Sequence, residues 1–175
     1  MRELFDQFLK ERRLLKNISP KTEQYYRQAL IAFERYSGES LDSLSSGKLN
    51  KWTVAMLETG VRPVSCNTYI SAMNAFFNWC AENDVTPKRF KAGILKIEEK
   101  GFKTLSENQL LQIAYYKPET PSEWRTHTIT SLLIDTGARI EEVLGLLTVN
   151  VNFEDALITI KGKGGKTGLS LSRLR

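Results

Sequence analysis

Leu4, Phe5, Phe8 and Leu9 recur at helical spacing near the start of the chain, which puts their side chains on one face. Charged residues fill the opposite face, so a first amphipathic helix is predicted here. "NISPKT" supplies the start of a second helix, with Ser19 as N-cap and Pro20 at the first helical position, where its missing N–H costs nothing. That helix runs to about Tyr36, buries Tyr26, Leu30 and Phe33, and ends at "SGES". A third helix is predicted from about Ser46 to Glu58, and "TGVRP" breaks the chain before a fourth that begins near Val64.

The fourth helix, "VSCNTYISAMNAFFNWCAEN", separates into two faces at about 100° per residue. Tyr69, Met73, Phe76 and Cys80 point one way, and Asn67, Ser71, Asn74 and Asn78 form a narrow polar stripe on the other. A merely solvated face would be better served by Lys or Glu, because Asn is a poor helix former. Asn can also bond an adenine edge bidentately in the major groove, so contact with bases or backbone stands beside plain solvation as a reading of the stripe. The second helix has a comparable outer face in Lys21, Gln24, Gln28 and Arg35. Two such faces suit adjacent stretches of a groove.

Periodicity then lapses. "TPKRFKAGILKIEEKGFKTL", broken by Pro87, Gly93 and Gly101, reads as a basic linker over residues 85–104. It separates a helical unit, 1–84, from a second unit, 105–175. In the second unit Ser106 caps "SENQLLQIAYYK", "PETPSE" is loop, and "WRTHTITSLLIDTG" and "RIEEVLGLL" are helices. "DALITIKGKGGKTGLSLS" follows as two strand-like runs joined at a glycine-rich turn. The fold class is mainly α with a small β-hairpin.

Composition narrows the function. At 41% apolar and 26% charged the 175 residues have a globular make-up. No apolar run approaches the roughly 20 residues needed to cross a bilayer, and "MRELFDQFLKERR" carries charges where a secretory signal would be apolar. The expected compartment is the cytoplasm, with no membrane partner. Cys66 and Cys80 fall in one helix, about 21 Å apart, too far for a disulfide. With His127 as the lone histidine and no cysteine pair at ligand spacing, no metal or other cofactor is expected.

The net charge of +5 is unevenly placed. Residues 85–105 carry Lys88, Arg89, Lys91, Lys96, Lys100 and Lys103 against Glu98 and Glu99, a net +4, and residues 161–175 carry a net +5. Two concentrated basic segments suggest two grips on a polyanion, with a solvated charged surface as the plain alternative.

The stretch "IKGKGGKTG" offers a phosphate loop as another reading, because Gly165, Lys166 and Thr167 resemble the end of Walker A. That motif requires a glycine where Ile160 stands and a helix where "GLSLSRLR" follows, so nucleotide binding is kept only as a remote alternative.

"TGARIEEVLGL" carries the chemistry. Thr136, Gly137, Arg139, Glu142 and Leu146 match the T-G-x-R-x-x-E-x-x-x-L signature of the tyrosine recombinase catalytic domain, which this sequence resembles. In the phage integrase and Xer-like family a downstream β-hairpin presents a lysine in a G-K-G-x-K turn, and "GKGGK" at 162–166 fits it. "SPKTEQYYRQAL" and "NAFFNWCAEN" look like elements of the family's helical, SAM-like core-binding domain, so the likeness spans both units.

The resemblance implies a double-stranded DNA partner and strand cleavage by a tyrosine that forms a covalent phosphotyrosine and expels a 5′ oxygen. Arg139 would clamp the scissile phosphate with its planar fork, Glu142 would orient Arg139, and Lys163 would protonate the leaving oxygen, with Lys166 as the competing donor. Lys88, Arg89 and Lys91 would join the two polar stripes in gripping DNA. The sequence departs from the family in one respect: the H-x-x-R segment and the nucleophile should lie downstream of the lysine turn, and no histidine or tyrosine follows Arg139. His127 precedes "TIT" and does not fit H-x-x-R, and the six tyrosines read as helix-packing positions. A first part of a catalytic domain is therefore expected, without a nucleophile, inert in strand cleavage alone and monomeric in solution. Such a chain would be either an integrase-derived competitor for recombination sites or the front part of a working recombinase, as a fragment of it or as a chain that requires a second polypeptide to supply the nucleophile, with assembly on DNA.

Overall fold

Ser19, Ser45, Ser106 and Thr120 each stand one residue before a helix, and each side-chain oxygen accepts an N–H of the first turn. The structure, a computed structural model, describes residues 1–98, 101–155, 157–161 and 167–171; at 161 and 167–171 it describes the backbone alone. The chain divides into two compact units, residues 1–100 and 101–175.

The first unit holds α1 (Arg2–Lys16), α2 (Pro20–Ser37), α3 (Ser46–Glu58) and α4 (Pro63–Glu82). Pro20 and Pro63 sit at the first positions of their helices, so α4 begins one residue before the expected start. Gly38 closes α2 at φ 61°. Helix α4 packs on the other three and supplies Ile70, Met73, Phe76, Phe77 and Cys80, all fully buried. The Phe76 ring centroid lies 4.8 Å from that of Phe5 and 5.6 Å from that of Phe8, while Phe33 meets Trp52 at 5.1 Å, in the edge-on geometry aromatic rings favour. Tyr26 and Tyr69, expected inside, are half-buried.

The chain does not leave this unit at the end of α4. The Val85 N–H donates to the Cys80 carbonyl at 2.8 Å, and Phe90 and Ala92 are buried in the same core. The first half of the stretch expected as linker is packed structure. Its alternation of buried Phe90 and Ala92 with exposed Lys91 and Gly93 is a strand-like pattern too short to register in the sequence.

The second unit holds α5 (Glu107–Tyr115), α6 (Pro121–Thr136), α7 (Ile140–Leu144), a 3₁₀ turn (Thr148–Asn150) and the strands β1 (Val151–Asn152), β2 (Leu157–Lys161) and β3 (Thr167–Leu171). The sheet is antiparallel in the order β1-β2-β3, with Val151 opposite Ile158 and Ile160 opposite Gly168. The expected hairpin is present and gains a two-residue edge strand. "PETPSE" is not all loop: Thr120 caps α6, Glu123 returns the bond to the Thr120 N–H, and Pro121 opens the helix. Among the described residues this unit buries only Val143, Ile158 and Ile160. Leu111, Trp124, Ile134, Leu144 and Leu147 are exposed.

Candidate nucleic-acid interface

The turn between α6 and α7 is built by its own sequence. Thr136 Oγ1 donates back to the Leu132 carbonyl and accepts the Ala138 N–H at 3.2 Å, and Gly137 adopts φ 63°, the left-handed conformation that glycine takes at least cost. Arg139 then stands at the N-cap position of α7. Glu142, one turn in, accepts the Arg139 backbone N–H on Oε2 and the guanidinium Nη1 on Oε1, both at 2.9 Å. The Glu142 side chain is 14% exposed and that of Arg139 79%. The carboxylate is thus sheltered while the cation is offered outward. The Arg139 main-chain N–H first, and its guanidinium second, hold the Glu142 carboxyl below the usual carboxylate range.

Helix α7 packs against β2, the strand that runs up to Lys161, which pairs with Thr167 at the start of β3. Arg139 therefore stands on an element in contact with the strand that leads into the lysine turn. Lys163 and Lys166 lie outside the described residues. A strand begins at Thr167, whereas a Walker A loop passes into a helix there.

The outer face of α2 carries Lys21, Gln24, Gln28 and Arg35, all exposed. Gln28 and Arg35 edge a cleft of about 340 Å³ floored by Ala32 and Tyr69. The stripe on α4 is differently placed. Ser71 is exposed, but Asn74 is 9% exposed; its Nδ2 donates to the Ala92 carbonyl at 3.0 Å and its Oδ1 accepts the Ala92 N–H at 2.8 Å. Asn67 makes the same pair of bonds with Leu95, at 2.8 and 2.7 Å. Asn78 is half-buried, and its Oδ1 has no hydrogen-bond partner among the described residues. The chain's own backbone occupies the amides of Asn67 and Asn74.

Lys88, Arg89 and Lys91 are exposed on the segment those asparagines hold. Lys88 Nζ lies 5.5 Å from the Phe90 ring centroid, and Arg89 pairs loosely with Glu82 at 3.4 Å. His127 joins α6 to α5 through Nε2 and the Ile113 carbonyl at 2.9 Å, a packing role. Tyr25, Tyr26, Tyr36 and Tyr69 pack against the helical core, but Tyr115 and Tyr116 are 78% and 49% exposed. Sequence reasoning missed the asparagine clamps; the signal was four polar residues at i, i+4, i+7 and i+11 on a largely apolar helix.

Comparison with known proteins sets these features in order along the chain. The family description "Phage integrase, N-terminal SAM-like domain" matches residues 5–83, and "Phage integrase family" matches residues 103–171. Tyrosine recombinase XerD of Haemophilus influenzae is 28% identical over 169 residues, covering 93% of this chain and 57% of the relative. Tyrosine recombinase XerC of Xanthomonas campestris pv. campestris is 24% identical over 168 residues, covering 93% and 52%. The chain spans about half the length of these relatives. Its fold is similar to that of the Tn1549 transposon integrase in complex with circular intermediate DNA, with a TM-score of 0.73 at 18% identity over 97% of this chain and 58% of that one.

Proposed function

This chain belongs to the phage integrase family of tyrosine recombinases, and on that footing we propose that it binds double-stranded DNA and supplies part of a strand-cleaving and rejoining site for site-specific recombination. The observation that carries the reading is Arg139, exposed at the start of α7 and held there at two points by Glu142. A guanidinium so held presents a planar donor fork to two phosphoryl oxygens without first having to be ordered. Cleavage transfers the phosphoryl group from a 5′ oxygen to a tyrosine oxygen. Charge that builds on the phosphoryl oxygens is met by Arg139, and the departing oxygen takes a proton from Lys163, with Lys166 as the alternative donor.

Relatives named tyrosine recombinases and neighbours solved on DNA support this reading. So does the charge: Lys88, Arg89 and Lys91 on the first unit, with Lys21, Gln24, Gln28 and Arg35 along α2, suit a phosphate backbone. We assign the DNA work to the cytoplasm and the free chain to a monomer that assembles on DNA. No tyrosine follows Arg139 within the 175 residues, so the proposal places the nucleophile outside them. The 175 residues by themselves are expected to occupy recombination sites without cutting them.

Incubation with a nicked suicide duplex tests both. Retarded but non-covalent complexes that weaken steeply with added salt are expected. A covalent adduct that survives denaturant would overturn the assignment of the nucleophile, and absence of any salt-sensitive complex would overturn DNA binding itself.

A further inference from the structure

Asn67 and Asn74 do something the DNA reading did not ask of them. Each side-chain amide carries a donating NH₂ and an accepting oxygen, and each uses one bond from either group on the C=O and N–H of a single residue, Leu95 and Ala92 respectively. The pairing repeats the two-bond exchange of an antiparallel sheet, with a helix supplying one edge. Its register is set by geometry: seven residues of α4 rise about 10.5 Å, and three residues of extended chain span about 10 Å. The two clamps therefore fit a segment running opposite to α4 in direction.

The other end of this segment is tied as well. The Val85 N–H bonds to Cys80, the Thr86 hydroxyl donates to the Lys88 carbonyl at 3.1 Å, and Phe90 is buried beside Ala92. Between buried Phe90 and Ala92 stands exposed Lys91, with Lys88 and Arg89 just before it. Cations on a backbone already held in place lose less freedom on meeting a phosphate than cations on a loose linker.

We propose that Asn67 and Asn74 are positioning residues for DNA contact: they hold the 90–95 strap on α4 so that Lys91 and its basic neighbours are presented in one fixed arrangement. This rests on the DNA-binding reading above. The asparagines act through the strap and touch no nucleic acid themselves, so they add affinity on any sequence and carry no base preference.

The test has two arms that fail separately. In the first, backbone amide exchange is followed by NMR in the full chain and in Asn67→Ala/Asn74→Ala, in which Ala suits α4 at least as well as Asn. Protection at Ala92 and Leu95 should fall at least tenfold while that of the α4 core amides stays. In Asn74→Asp, the ionised carboxylate faces the Ala92 carbonyl and repels it, whereas the protonated acid restores a donor and an acceptor; protection at Ala92 should return on acidification. Unchanged protection in the double variant overturns the clamp.

In the second arm, binding to a random duplex of about 30 base pairs is measured at low salt. The double variant should bind about tenfold more weakly, a loss of about 1.4 kcal/mol. Adding Lys91→Ala to it should cost much less than the same change costs in the unmodified chain. Full additivity overturns the positioning role. If the unmodified chain binds no duplex, the DNA reading falls with that role, and protection at Ala92 and Leu95 still decides the clamp.

Discussion

Glu142 grips Arg139 twice, once through the main chain and once through the guanidinium, with both donors 2.9 Å from the carboxylate. Removing the grip frees the arginine without changing its charge. Glu142→Ala is expected to weaken duplex binding by roughly threefold to tenfold, the cost of ordering one long side chain on binding. Glu142→Gln keeps an acceptor for the main-chain N–H and should lose less. Gel retardation at fixed salt measures both, and equal losses would show that the main-chain bond is irrelevant.

The same contact sets a pH response. The Glu142 carboxyl is held low, so the stability it contributes is fully present above the ordinary Glu value of about 4.3 and is lost only as pH falls through the lower folded-state value. The carboxyl carbon shift of Glu142 should therefore titrate with its midpoint below the ordinary Glu value. A midpoint at or above the ordinary value would mean that the pair does not form in solution.

Phe76 is fully buried and touches the rings of Phe5, Phe8 and Trp79. Phe76→Ala should destabilise the first unit by about 3–5 kcal/mol, the cost of a large buried ring and the cavity it leaves. Urea unfolding followed by Trp52 and Trp79 fluorescence reads this directly. A change below about 1 kcal/mol would mean that the site collapses around the missing ring.

Gly137 closes α6 at φ 63°, with nothing within 4 Å of where a side chain would begin. The objection to Gly137→Ala is therefore conformational, and a loss of about 1–2 kcal/mol from the second unit is expected. Gly137→Asn, which tolerates the left-handed region, should recover part of it. Thermal melting of the two variants separates backbone strain from steric clash.

Helices α5 and α6 bury no residue, in contrast to α4. Amides of residues 107–115 and 121–136 should exchange faster than those of 66–80 by two orders of magnitude or so, because opening them exposes little apolar surface. Exchange followed by mass spectrometry checks this, and comparable protection in both units would point to a covered apolar face.

Much of the framework was readable in the sequence, for local reasons. Ser19 and Pro20 announce α2, Ser106 announces α5, and Gly137 separates α6 from α7 through chemistry carried within a few residues. Met73, Phe76 and Cys80 of the apolar stripe on α4 are buried as the periodicity indicates, and Tyr69 is half-buried. Arg139 and Glu142 at i and i+3 on one short helix were bound to meet, and they do.

Other features depended on residues far apart in the chain. Periodicity says which face of a helix is polar but not what covers it; the partners of Asn67 and Asn74 lie 28 and 18 residues away, so only folding could show that the stripe holds backbone. The linker's composition gave no sign that Phe90 and Ala92 would be buried, because two apolar residues among lysines carry no period. Strand β1 needed β2 beside it to exist at all, since a two-residue strand has no signature of its own. Capping, turns and helix faces are decided within about one helical turn of chain, and the sequence by itself determined them. Which polar groups are left for a partner depends on which of them the fold itself has already paired, and only the tertiary structure decided that.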